Sequence, residues 1–143
     1  MKLYRVGHRI YRSKIPYIFK IFDWLIRLVH NSAVYSETEI GNGTIFAYSG
    51  IGVVIHKRCK IGENCVIGSN VTIGGKSNSQ GVPVIGNNCF IATGVKILGD
   101  IEIGDNSVIG ANAVVVTSIP KNSLVTGIPA KVIKTNINPR DYY

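Results

Sequence analysis

Few residues in this 143-residue chain can move a proton near neutral pH: three histidines, His8, His30 and His56, and three cysteines, Cys59, Cys65 and Cys89. An imidazole titrates close to physiological pH and suits general-base work on a hydroxyl. The cysteines are odd in number, form no Cys-x-x-Cys pair and follow no apolar leader, so a reduced, cytoplasmic protein is expected. Gly75-Lys76-Ser77 copies the end of a phosphate loop. Asn70 stands where that motif needs its first glycine, and no strand-then-helix unit surrounds it, so a nucleotide triphosphatase is not expected.

The positive charge is uneven. Lys and Arg number 16 against 8 Asp and Glu, for a net charge of +8. Residues 1–30 hold Lys2, Arg5, Arg9, Arg12, Lys14, Lys20 and Arg27 against Asp23 alone, while the rest carries nine basic and seven acidic residues. The body is therefore close to neutral, and a nucleic-acid-binding surface along the chain is not expected. With 45% apolar and 17% charged residues, a disordered or acidic adaptor is excluded. The length leaves no room in this chain for a separate nucleotide-binding domain.

The elements that must hold these groups are set by a period of six. Ile55, Ile61, Ile67, Ile73, Ile85, Ile91, Ile97, Ile103, Ile109 and Val115 fall on it, with Ser79 the one exception. Gly62, Gly68, Gly74, Gly86, Gly104 and Gly110 follow six of them, and Ala92 a seventh. Two places before each stop sits a small or branched residue, Cys59, Cys65 and Cys89 among them. Neither a 3.6 nor a 2.0 period fits. A strand and a corner every six residues, three to a coil, make an all-β chain wound as a parallel β-helix. Each isoleucine then stacks on the one 18 residues away, and Gly and Asn take the corner angles. The cysteines become inward-facing filler. His8 and His30 lie outside the coil, so no three-histidine metal site is expected.

The repeat breaks between Ile73 and Ile85, where a polar, Gly-rich stretch predicts an excursion loop over 74–84 that takes two hexads out of the coil. Three regions follow: a basic helical segment over 1–35, the coil over 36–134 and a polar, frayed tail over 135–143. Helices are expected over 2–12 and 16–30, with Pro16 in the first turn of the second and Ser13 as its cap. Leu3, Val6 and Ile10 would line the buried face of the first helix, and Ile18, Phe22, Leu25, Ile26 and Val29 that of the second. These helices would pack on the end of the coil, capping its exposed strand edges, or on a neighbouring subunit. Their basic residues would face solvent or an anionic membrane surface. Ile15 to Val29 is too short and too charged to span a bilayer.

Gly52-Val53-Val54-Ile55, Asn70-Val71-Thr72-Ile73-Gly74-Gly75, Val82-Pro83-Val84-Ile85-Gly86 and the closing Gly127-Ile128-Pro129-Ala130-Lys131-Val132-Ile133 resemble the hexapeptide acyltransferases, in their serine acetyltransferase-like branch. The resemblance implies a left-handed coil, a homotrimer and acetyl-CoA lying between adjacent coils. It places cofactor contacts at Gly74, Gly75, Lys76, Ala92, Thr93, Gly94, Gly110, Ala111 and Lys131, and substrate contacts at Tyr48, Ser49 and Asn70. The family's Asp-His pair falls on Tyr48 and Ser49, and its second histidine on Val82. His56, in a Gly-Val-Val-Ile-His run, is then the expected base, with His30 a weaker candidate. The expected activity is O-acetylation of a sugar or surface-polysaccharide precursor, with serine as the alternative acceptor. A trimeric scaffold that has lost its chemistry is the competing class.

Overall fold

A computed structural model describes residues 1–14, 17–77 and 80–142; Ile15, Pro16, Asn78, Ser79 and Tyr143 lie outside the described residues, and with them the expected roles of Pro16 and Ser79. From residue 33 the chain forms short strands, mostly of two residues, that visit three faces in turn. One face carries Ala33–Val34, Val54–Ile55, Thr72–Gly74, Lys96–Leu98 and Val114–Val115, all hydrogen-bonded in parallel. A four-stranded face is extended by a bridge from Ile103 to Ile119, and a six-stranded face ends in an antiparallel strand. The result is the expected parallel β-helix.

Three buried columns run up its inside. Val34, Ile55, Ile73, Ile97 and Val115 form one, Ile40, Ile61, Ile85, Ile103 and Ile119 the second, and Phe46, Ile67, Ile91, Ile109 and Val125 the third. Full burial of each such side chain is worth about 1.5–3 kcal/mol, which is why one residue in six is so rarely anything else. The 18-residue stacking holds for Ile55 on Ile73 and Ile85 on Ile103. Across the excursion, Ile61 pairs with Ile85 and Ile73 with Ile97, at a spacing of 24. The loop therefore removes one hexad from the coil, not two. A second insertion, of three residues, separates Phe46 from Ile67 by 21 and carries the short 3-10 turn Ala47–Gly50.

The corners use glycine for a different reason than expected. The left-handed angles fall on Asn64, Asn70, Asn88, Asn106 and Asn112, with Gly43, Gly52 and Gly94 in the same role. The glycines that follow the buried isoleucines need room instead. A Cβ on Gly68 would lie 2.5 Å from the backbone N of Thr93, and one on Gly62 2.6 Å from the carbonyl oxygen of Gly86. Neighbouring coils approach there closely enough to exclude a methyl group.

The N-terminal helices close one end of the coil. The first, α1, spans Lys2–Arg12 and the second, α2, Ile18–His30. Arg5 donates to the carbonyls of Ile40 (2.8 Å), Gly41 (2.7 Å) and Thr44 (3.2 Å), which belong to the first coil and have no coil beyond them. Tyr4 donates to Thr38 O at 2.6 Å, and Asp23 accepts from the backbone N–H (2.8 Å) and hydroxyl (2.6 Å) of Ser36. Three expectations are corrected. Ser13 ends α1, its hydroxyl donating to Arg9 O, rather than starting α2. The buried residues of α1 are Tyr4 and Gly7, not Val6, because Gly7 lets the helix press on Phe22 and Ser36. In α2, Ile26 is buried with Phe22 beside it, while Ile18 and Val29 are exposed.

The C-terminal segment is not frayed throughout. Ser123–Gly127 and Ala130–Thr135 pair as an antiparallel hairpin through the cis bond of Ile128-Pro129. Beyond it Ile137 and Pro139 are buried, and Ile137 N–H donates to Asn122 O at 3.1 Å.

Two outcomes are expected for stability. Gly68→Ala forces a methyl group into the neighbouring coil, so its unfolding free energy should fall by about 1–3 kcal/mol in denaturant titration. Burial raises the Tyr4 hydroxyl to about 12 and the Cys59 thiol to about 11. Both groups keep protons in the native state that the unfolded chain releases earlier. Their contribution is complete below about pH 9 and declines as pH rises towards 12, so the melting midpoint should drop across that window.

Candidate active site

The expected site residues fall on two edges of the five-stranded face. His56 directly follows the strand Val54–Ile55, at the edge where the chain turns towards the four-stranded face. It is half-buried, and its backbone N–H donates to Ile73 O at 2.9 Å. Gly74 is its neighbour on the next coil, where an added Cβ would meet only His56 Cβ, at 4.0 Å. The column that bears His56 thus has open space beside it where the other corners are crowded. Gly75 and Lys76, both exposed, lead from there into the excursion. The loop rests on the following coil: Gly99 N–H donates to Gly74 O (3.0 Å), Gly81 sits against the Asp100 side chain, and Pro83 is buried.

Backbone hydrogen bonding sets the His56 tautomer. Nδ1 accepts from the N–H of Arg58 at 3.2 Å, so the neutral ring carries its proton on Nε2. No carboxylate orients the ring among the described contacts of His56.

The second group lies on the opposite edge. Tyr48 and Ser49 occupy the three-residue insertion with left-handed angles, φ 50° and 58°, and Tyr48 is 78% exposed. Non-glycine residues held there cost about 1–3 kcal/mol each. On the coils that follow come Asn70, whose carbonyl accepts from Lys96 Nζ at 2.6 Å, and then Ala92, Thr93 and Gly94. Gly110 and Ala111 complete the edge, and Ser69 and Thr93 hydroxyls lie 3.4 Å apart. Gly94 has a positive φ of 79° and packs on Asn112, so it meets both a conformational and a spatial demand. Lys131 is exposed in the closing hairpin, opposite Thr126.

One chain therefore gathers His56, Gly74, Gly75 and Lys76 on one edge and the remaining candidates on the other. Three residues of the chain, Val71 to Ile73, lie between Asn70 on one edge and Gly74 on the other, a separation of about 13 Å. His30 ends α2 and joins neither group; its carbonyl accepts from Ser32 Oγ at 2.9 Å. Sequence reasoning missed Gly99 and Asp100, which form the floor of the loop, and Lys96. Gly99, with φ 110°, carried a signal, since it stands outside the six-residue glycine slot. Among the described residues no cluster of His, Cys, Asp and Glu could hold a metal ion. The three cysteines are buried and free. Hydrogen bonding to Cys65 and burial push the Cys89 thiol upward.

The bacterial transferase hexapeptide (six repeats) family matches residues 83–117, and the hexapeptide repeat of succinyl-transferase family matches residues 58–98. A serine acetyltransferase of Staphylococcus xylosus is 37% identical over 131 residues, covering 90% of this chain and 60% of the relative. The chain is similar to the hexapeptide-repeat acyltransferases, in their serine acetyltransferase-like branch. The crystal structure of serine acetyltransferase from Brucella abortus strain S19 superposes with a TM-score of 0.89 at 27% identity, over 96% of this chain and 56% of that one. A coenzyme A complex of the enzyme from the same strain matches with a TM-score of 0.87 at 28% identity, over 94% and 54%. The chain thus spans about six-tenths of the length of the relative that it matches.

A buried thiol in an apolar slot is a poor nucleophile. A thiol-specific reagent should leave Cys59, Cys65 and Cys89 unmodified in native protein at pH 8 and label all three once the chain is unfolded, as read by intact mass.

Proposed function

We propose that the protein is an acetyl-CoA-dependent O-acetyltransferase whose first acceptor to test is serine. The observation that supports this most is the likeness over 94% of the chain to a serine acetyltransferase solved with coenzyme A. Sequence alone favoured a sugar acceptor; the names of the relatives favour serine.

The two-edge arrangement supports a homotrimer. In such an assembly one subunit's His56 edge faces the opposite edge of its neighbour, and the open space beside Gly74 becomes the floor of a groove. Small residues at Gly74, Gly75, Ala92, Gly94, Gly110 and Ala111 let an extended pantetheine lie against backbone. Lys76 and Lys131 supply point charges for the phosphates. The acceptor would meet Tyr48, Ser49 and Asn70.

In the transfer step the acceptor oxygen attacks the thioester carbonyl carbon, the carbon–sulfur bond breaks, and CoA leaves as its thiol. His56 takes the hydroxyl proton and returns one to the departing sulfur. For that, the ring must present a bare nitrogen to the groove. Rotation about Cβ–Cγ releases the Arg58 hydrogen bond, a cost of about 1 kcal/mol, and turns the bare Nδ1 towards the groove while Nε2 keeps its proton. A backbone N–H in the groove would stabilise the oxyanion.

One observation favours a second reading, a CoA-binding scaffold with impaired chemistry: Tyr48, Ser49 and Val82 stand where the resembling enzymes have Asp, His and His. Thiol release from acetyl-CoA, measured with serine and with a panel of sugars, separates the readings. Serine should support turnover, and His56→Ala should lower it by about 10²–10⁴-fold. An unchanged rate removes His56 from the base role. Tight CoA binding without turnover on any acceptor establishes the scaffold. Gly74→Leu should keep its melting midpoint, since space is open there, and lose CoA affinity in calorimetric titration.

A further inference from the structure

The outer face of α2 is apolar and uncovered. Ile18, Ile21, Trp24 and Leu28 recur at helical spacing on the side away from the packed Ile26, with exposed Tyr17 and Val29 beside them and Leu25 half-buried. Trp24, Leu28 and Val29 expose 61%, 66% and 62% of their surface. A helix that is apolar on both sides asks for a second covering surface.

The charge around the ridge narrows what that surface is. Lys2, Arg9, Arg12, Lys14, Lys20 and Arg27 are all exposed, and Lys20 Nζ lies 5.2 Å from the centre of the Tyr17 ring. The one acid of this segment, Asp23, accepts two hydrogen bonds from Ser36 inside the fold. Among residues 1–30 no carboxylate is exposed. Glu37 and Glu39 share a cavity with Arg5, His8 and Arg12 of α1 but with no residue of α2, and Glu39 pairs with Lys60 at 3.1 Å. A second copy docked by the same ridge would bring like charges together and gain no opposite ones. No described helix is long and apolar enough to cross a membrane. An apolar ridge with an aromatic at its centre and cations at its borders is the pattern of a helix lying in the plane of an anionic bilayer surface.

We propose that this protein docks on anionic lipid bilayers through α2, with Trp24, Ile21 and Leu28 entering the acyl boundary and the flanking Lys and Arg meeting the headgroups. This inference stands apart from the acyl-transfer reading, since it uses no residue of the candidate site.

Trp24 is the only tryptophan, so its fluorescence reports the contact directly. The full chain is mixed with vesicles of equimolar phosphatidylcholine and phosphatidylglycerol, or of phosphatidylcholine alone. Flotation with the anionic vesicles, a blue shift of Trp24 emission and quenching by brominated acyl chains are expected, all weakened by high salt. Ile21→Gln/Leu28→Gln and Lys20→Gln/Arg27→Gln, at exposed positions that leave the melting midpoint unchanged, should each lose flotation. Acetyl-CoA turnover in free solution should be the same for both variants as for the parent. The proposal is overturned if the parent neither floats nor shifts its emission, or if it binds neutral vesicles equally well. It is also overturned if Trp24 emission is already blue in buffer and sedimentation shows that α2 pairs with a second copy.

Discussion

Everything in this molecule rests on the hydrogen bonds between one coil and the next. A strand of two residues has no independent stability. Its N–H and C=O groups are satisfied only by the coil above and the coil below, as His56 N–H is by Ile73 O and Gly86 N–H by Ile103 O. The spacing between coils is therefore fixed by the backbone. One buried residue per strand must fill the interior at that spacing, and the residue after it must sometimes give up its Cβ. Isoleucine in the columns and glycine beside the next coil are both consequences of this one constraint.

The same constraint explains the two ends. A stack of coils finishes on unpaired carbonyls, and the first coil is closed by Arg5, with three donated hydrogen bonds, and by Tyr4. At the far end an antiparallel hairpin finishes the edge of the six-stranded face. The helical segment thus has a structural role on its inner side, which leaves its outer side, apolar and cationic, free for another.

The candidate site residues gather where the coil departs from its own rule. The three-residue insertion holds Tyr48 and Ser49 in a costly backbone conformation, and the one-hexad excursion starts beside His56. Both leave the interior columns unbroken, so each adds surface without disturbing the stack. Because they lie on opposite edges of one face, a site built from both would need a neighbouring subunit.

The sequence by itself determined the coil. Its period, the inward slots of Cys59, Cys65 and Cys89, and the existence of an excursion were legible because one buried residue in six is a strong, local requirement. The helices were legible in extent but not in facing. Val6, Ile18 and Val29 are as apolar as the residues that are buried, and only Gly7 pressing on Phe22 decides which side packs inward. The tertiary structure alone decided how many residues the loop removes, since register depends on which strands pair. It also separated the two roles of glycine and placed His56 beside the open Gly74 with its proton on Nε2. Those are distances between coils, between residues 18 or 24 apart, and a linear pattern carries the period of a repeat but not the contact that each turn of it makes.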